Sequence, residues 1–265
     1  MLVIQRTLTA IVLLAIVVGA LFLDPTGWAV KILIVLVAAV CEFELSKLVS
    51  SNIGPIPIPY VAIAIGFFLV RAQTFNPLWI YAVITALSVP LICLSVIKKN
   101  KFGGGLFGTA WIFGVVMPLY ILASTKSPAT WPLLMTAAIP IWCGDTAAIF
   151  VGKAFGKRKM APEISPNKTW EGATGNLLAC IGAAMALGAI FHYPMMLMVL
   201  LGLNCGVIGQ AGDLFESWLK RKADVKDSGN ILPGHGGLLD RLDSLMATAP
   251  LSLLILQSLV VPGKP

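Results

Sequence analysis

The run SWLKRKADVKDSGNILPGHGGLLDRLD, residues 217–243, decides the fold because it interrupts apolar sequence on both sides, Leu197–Ile208 before it and Leu245–Val261 after it. It carries four aspartates (Asp224, Asp227, Asp240, Asp243) and five cations (Lys220, Arg221, Lys222, Lys226, Arg241), and Asp213 stands just ahead of it. The segment Pro233-Gly234-His235-Gly236-Gly237 cannot form a regular helix, because proline lacks a backbone donor and glycine populates conformations closed to other residues. Carboxylates, cations and a glycine loop between apolar segments point to a metal ion and a polyphosphate.

The rest of the chain explains the apolar flanks. The 265 residues are 58% hydrophobic and 12% charged, with a mean hydropathy of +0.90. Average proteins carry about 25% charged residues. The composition is that of an integral membrane protein, and at about 20 residues per span the chain has room for roughly eight to ten. The net charge of +7 does not indicate nucleic acid, because the cations lie in loops between apolar runs. Anionic lipid headgroups and nucleotide phosphates are the better partners.

Nine apolar segments stand out: Leu8–Leu23, Trp28–Cys41, Pro55–Val70, Pro77–Ile97, Leu106–Ala123, Ala129–Val151, Ala173–Phe191, Pro194–Gln210 and Leu238–Val261. The second continues through Glu42–Val49. Lipid cannot satisfy open backbone groups, so helices are expected, and the fold class is all-α and polytopic, with about nine transmembrane helices. The first segment, after Arg6, imitates a signal peptide but reads as a retained span. With the N-terminus inside, fifteen of the nineteen lysines and arginines fall in inner loops, as the positive-inside rule expects. The chain is thus expected in the cell membrane, multi-pass, with its polar loops facing the cytoplasm. It divides into an N-terminal helical region (1–97), a middle region with basic loops (98–172) and a C-terminal catalytic region (173–265).

Some features read as structural. The five cysteines are scattered and never in a Cys-x-x-Cys pair, so they read as small buried hydrophobes. Gly103–Gly105 reads as a flexible interfacial hinge, since no Lys-Ser/Thr follows as a phosphate loop needs. Lys157-Arg-Lys159 reads as a flexible basic cluster drawn to anionic lipid. The small residues of Gly182–Gly188 suit helix packing within the chain or in a homodimer.

Asp145 lies inside the sixth apolar segment, where a carboxylate needs protein, water or a cation. A helix–helix hydrogen bond and a metal-binding role both fit. Asp213 ends the eighth segment after Gly209-Gln-Ala-Gly212. If that helix runs on, Ser217, Lys220 and Arg221 share Asp213's face, while Lys222 and Asp224 point elsewhere. Asp240 and Asp243, three apart, fall on one face in the first turn of the ninth helix, where the helix dipole also favours anions. Mg²⁺ takes hard oxygen ligands, usually one or two carboxylates, and completes its shell with water and substrate phosphates. Asp213 and Asp240 are the first choice as its ligands, with Asp227, Asp243 and Asp145 next and room for a second cation. Lys220, Arg221, Lys226 and Arg241 can clamp phosphate charge. His235 either donates to a phosphate or anchors its loop. Ser165-Pro166 can begin a helix whose N-terminus, with Asn167 and Lys168, holds phosphates. Trp170 reads as an interface anchor rather than a base-stacking partner.

The pattern Ser217-x-Leu219-Lys220-Arg221, Lys226-Asp227-x-Gly229 and Leu232-Pro-Gly-His-Gly-Gly237-x-x-Asp240-Arg241-x-Asp243 resembles the C-terminal motif of the phosphatidate cytidylyltransferases, or CDP-diacylglycerol synthases. Ser165-Pro-Asn-Lys-Thr-Trp-Glu-Gly172 and Asp145-Thr-Ala-Ala-Ile-Phe-Val-Gly152 are similar to further stretches of that family. The resemblance implies CMP transfer from CTP to phosphatidate, releasing pyrophosphate. That reaction suits these residues, because the phosphatidate oxygen is already an anion and needs no Ser, Cys or His nucleophile. Other CTP-using lipid enzymes, a prenol kinase or an ether-lipid cytidylyltransferase, share the chemistry. An ion-coupled transporter fits less well, because the acids gather in one loop instead of crossing the bilayer.

Overall fold

The computed structural model describes residues 28–50, 78–123, 130–234 and 236–259, with short helical pieces between residues 11 and 20. Most of the expected first segment and all of the third, Pro55–Val70, lie outside the described residues. The helices are α1 (Trp28–Ser50), α2 (Leu78–Ile97), α3 (Lys101–Ala123), α4 (Thr130–Phe155), α5 (Trp170–Phe191), α6 (Met195–Leu203), α7 (Gly209–Lys222) and α8 (Leu239–Gln257). A π-helical turn, Asn204–Ile208, joins α6 to α7. Among the described residues three helical stretches are long and apolar enough to cross a membrane, Trp131–Phe155, Trp170–Phe191 and Met195–Lys222; Val83–Ile97 and Gly108–Ala123 are shorter apolar helices.

The chain forms two compact units: residues 1–124 with 219–242, and residues 125–218 with 243–265. In the first, α3 packs against α1 and α2. Trp111, Ile112, Val115 and Met117 of α3 and Cys41 and Leu45 of α1 are buried there. The expected hinge at Gly103–Gly105 is instead the first turn of α3. The bend occurs earlier, over three residues, where Lys99 takes a φ of 53°. The reason is steric, because a Cβ on Gly104 would collide with the Val49 side chain of α1. Gly104 serves close helix packing.

In the second unit α5 packs between α4 and α6. Close approach again depends on absent side chains: a Cβ at Gly175 would lie 2.7 Å from Val151, and one at Gly202 2.5 Å from Ile181. Small residues allow such contacts where the hydrophobic effect cannot draw helices together.

The chain is not purely helical. Lys159–Ala161 (β1) pairs antiparallel with Ser165–Thr169 (β2). The helix start expected at Ser165-Pro166 is therefore four residues late, with Thr169 as the cap. Its φ is −126°, and its side chain accepts from Gly172 N–H at 3.1 Å. Pro166 lies between the paired positions Ser165 and Thr169, where a missing donor costs nothing. The expected flexible cluster at Lys157-Arg-Lys159 is likewise pinned: Glu171 accepts from the N–H groups of Lys157 and Arg158, and Lys159 opens β1.

Candidate active site

The polar residues gather into one group in each compact unit. In the second unit, Lys168 at the end of β2 places its ammonium 2.6 Å from Asp213 Oδ2 of α7. Helix α7 does run on, through Lys222. Ser217, one turn after Asp213, donates to Asp213 Oδ1 at 3.3 Å. Asp213 is thus held from its own helix and from the hairpin. Lys168 stands in the strand one residue before the Thr169 cap of α5, and its ammonium is paired with an acid.

Asp145, on α4, lies within electrostatic range of both Asp213 and Lys168. Its Oδ1 accepts from Asn176 Nδ2 of α5 at 3.1 Å. Asn176 in turn accepts from Gln210 Nε2 at 3.3 Å, and Gln210 also donates to the carbonyls of Ala173 and Gly206. The π turn at Asn204–Ile208 precedes Gln210 directly, and such turns are frequent at functional sites. Asp243, buried on α8, accepts from Ser244 N–H at 2.7 Å. Gly212 is what lets α7 come this close to α8: a Cβ there would lie 3.0 Å from the Asp243 carbonyl oxygen.

In the first unit the anchor is Asp240. Lys220 Nζ lies 2.6 Å from its Oδ1. Its Oδ2 accepts from Ser228 N–H at 3.0 Å and Gly237 N–H at 2.9 Å. Asp240 stands in the first turn of α8 and gathers the preceding loop around itself. Gly234 and Gly236 have φ values of 75° and 86°, the left-handed region that favours glycine, so another residue at either position would be strained. Asp227 is exposed, and its Cβ would lie 3.3 Å from a Cβ at Gly236. Lys226 and Arg241 are also exposed. Arg221 Nη1 donates to the Val225 carbonyl at 3.1 Å, across the turn that ends α7. Asp224, with a φ of 56°, is the left-handed residue of that turn and is exposed. His235 lies outside the described residues.

Two acids were missed in the sequence. Glu44, on α1, is 1% exposed, and it accepts from Ser228 Oγ at 3.1 Å, Leu238 N–H at 3.1 Å and Leu239 N–H at 2.8 Å. Glu42, also buried, accepts from Thr109 Oγ1 at 2.9 Å. Cys41-Glu-Phe-Glu44 placed two carboxylates in an apolar helix, which is itself a signal for function.

The sequence profile of the Cytidylyltransferase family matches residues 4–259. The chain belongs to that family. Among its relatives is the phosphatidate cytidylyltransferase of Bacillus subtilis (strain 168), 38% identical over 261 residues, covering 93% of this chain and 94% of that protein. Those of Staphylococcus aureus (strain COL) and Staphylococcus saprophyticus are each 34% identical, covering 96% and 95% of this chain and 99% and 98% of theirs. This cytidylyltransferase is thus an enzyme, a nucleotidyltransferase.

Among the described residues no three His, Cys, Asp or Glu side chains gather into a ready-made metal cage. The donors nevertheless suit a hard divalent ion. Asp213 and Asp240 each carry an ammonium at 2.6 Å, so each already binds a positive charge through oxygen. An ion that draws most of its shell from water and phosphate needs only one or two such carboxylates.

Proposed function

We propose that this cytidylyltransferase transfers CMP from CTP to phosphatidate, giving CDP-diacylglycerol and pyrophosphate, at the cytoplasmic face of a multi-pass membrane domain. The observation that carries the reading is the pair of lysine–aspartate bridges, Lys168–Asp213 and Lys220–Asp240: Lys168, Lys220 and Asp240 stand inside stretches that carry the family resemblance, and Asp213 stands just ahead of one. A phosphatidate oxygen attacks the α-phosphorus of CTP, and the bond from that phosphorus to the bridging oxygen breaks. The electron pair leaves with pyrophosphate. Both nucleophile and leaving group are anionic, so the protein's task is alignment and charge neutralisation.

Lys168 and Lys220 serve as ammonium groups that exchange a carboxylate for a phosphate oxygen when substrate arrives. Ser217 fixes the rotamer of Asp213. Exposed Lys226 and Arg241 meet the incoming triphosphate or lipid headgroup, while Asn167 and Ser165 present the β2 strand to it. Asp213 and Asp240 would each offer a carboxylate to Mg²⁺, and Asp145, Asp227 and Asp243 are the further carboxylates to which a divalent ion could bind. A divalent ion held by these carboxylates would supply positive charge to offset the charge of the departing pyrophosphate.

Purified protein in detergent, given phosphatidate, Mg²⁺ and CTP labelled separately in cytosine and in the γ-phosphate, tests this. Cytosine label in the lipid, with γ label in pyrophosphate, is expected. A γ-labelled lipid means a kinase, and no labelled lipid from folded protein ends the reading.

A further inference from the structure

The motif loop is held by a residue far outside the motif. Glu44 is almost fully enclosed on α1. Its carboxylate takes the N–H groups of Leu238 and Leu239 together with the Ser228 hydroxyl. The first backbone donors of a helix have no partner within it. Glu44 therefore caps α8 from another helix, and its charge sits where the helix dipole favours an anion.

This carboxylate crowds two glycines of the motif, Gly229 directly and Gly237 together with the Ser228 hydroxyl, which lies nearer still. A Cβ on Gly229 would meet Glu44 Oε1 and lie 2.9 and 3.1 Å from its Cδ and Cγ; a Cβ on Gly237 would lie 2.7 Å from Glu44 Oε2. Neither glycine has the positive φ that requires the residue elsewhere in the loop. What they supply is room. Ser228 completes the link, since its N–H binds Asp240 and its hydroxyl binds Glu44.

We infer that Glu44 is a positioning residue for phosphatidate cytidylyl transfer: it fixes the 228–239 loop and the start of α8, and so sets the orientation of Asp240. This rests on the proposed reaction for its kinetic consequence but not for its structural one.

The experiment compares wild type with Glu44→Gln in kinetics and in amide hydrogen exchange, on detergent-purified full chain. The amide side chain keeps the shape but offers one acceptor oxygen in place of two. Turnover should fall by about tenfold or more, and peptides spanning 226–240 should exchange faster, while those in Trp170–Lys222 keep their protection. Turnover within about threefold of wild type, or unchanged exchange over 226–240, overturns the inference.

Should Glu44→Gln fail to fold, a second pair of variants decides. Gly229→Ala should slow turnover and loosen the same peptides. Adding Glu44→Asp, which withdraws the carboxylate by one methylene, should recover both at least in part. No recovery in the double variant overturns the inference. Wild-type protein that makes no CDP-diacylglycerol would defeat the proposed reaction alone, and the exchange data would still decide whether Glu44 holds the loop.

Discussion

Lys168 Nζ stands 2.6 Å from Asp213 Oδ2, joining strand β2 to helix α7. Both side chains keep some solvent access, 25% and 33% respectively, so the bridge contributes little to stability. Its value is that it stays exchangeable. Asp213→Asn removes a charge proposed to bind metal and should lower CDP-diacylglycerol formation by about a hundredfold or more, while the detergent-extracted protein stays monodisperse. Lys168→Met should cost about tenfold or more. Retention of more than about a tenth of the activity in Asp213→Asn, a loss under about 1.4 kcal/mol, would move the metal to Asp145, Asp227 or Asp243.

Asp240 is bound more completely, by Lys220 and by the Ser228 and Gly237 N–H groups. Asp240→Asn turns an all-acceptor group into one whose amide must face a donor. Activity should drop by about a hundredfold or more, and some thermal stability should go with it. Asp224→Asn is the control, because it is exposed and its left-handed conformation suits asparagine; its rate should stay within about threefold of wild type.

Divalent metal should be required even though the carboxylates are ion-paired. Dialysis against EDTA is expected to abolish product formation, and added Mg²⁺ to restore it. Equilibrium binding of Mn²⁺, read by electron paramagnetic resonance, should weaken in Asp213→Asn and Asp240→Asn but not in Asp224→Asn. Full activity in EDTA would exclude the proposed role of both aspartates.

Thr169 caps α5 through its hydroxyl. Thr169→Ala should cost about 1 kcal/mol, seen as a lower midpoint of thermal unfolding in detergent, and Thr169→Ser should recover most of it. An unchanged midpoint in the alanine variant would mean that β2 alone fixes the helix start.

Helix α5 has 22 residues, about 33 Å at 1.5 Å per residue, enough to cross the hydrocarbon core. Lys157, before it, and His192, at its end, should therefore face opposite sides. In a background lacking native cysteines, Lys157→Cys should react from the cytoplasm and His192→Cys from outside. Reaction of both from one side would refute the crossing.

The sequence alone determined the class of the molecule. Continuous apolar runs forced helices, so segments such as Pro77–Ile97 and Ala129–Val151 were legible to within a few residues of α2 and α4. The motif around Asp213 and Asp240 was legible too, because carboxylates and cations beside glycines have few other uses within apolar sequence. Composition could not say which partners those side chains take. Lys168 was expected at a helix N-terminus and stands beside the one that Thr169 caps, but its pairing with Asp213 was not legible. Gly104 looked like a hinge and is a packing surface for Val49. Glu44 drew no attention among apolar neighbours, yet it binds backbone groups 194 and 195 residues away. Local pattern fixes periodicity and burial; which charge meets which depends on folding distant segments together, and that was decided only by the tertiary structure.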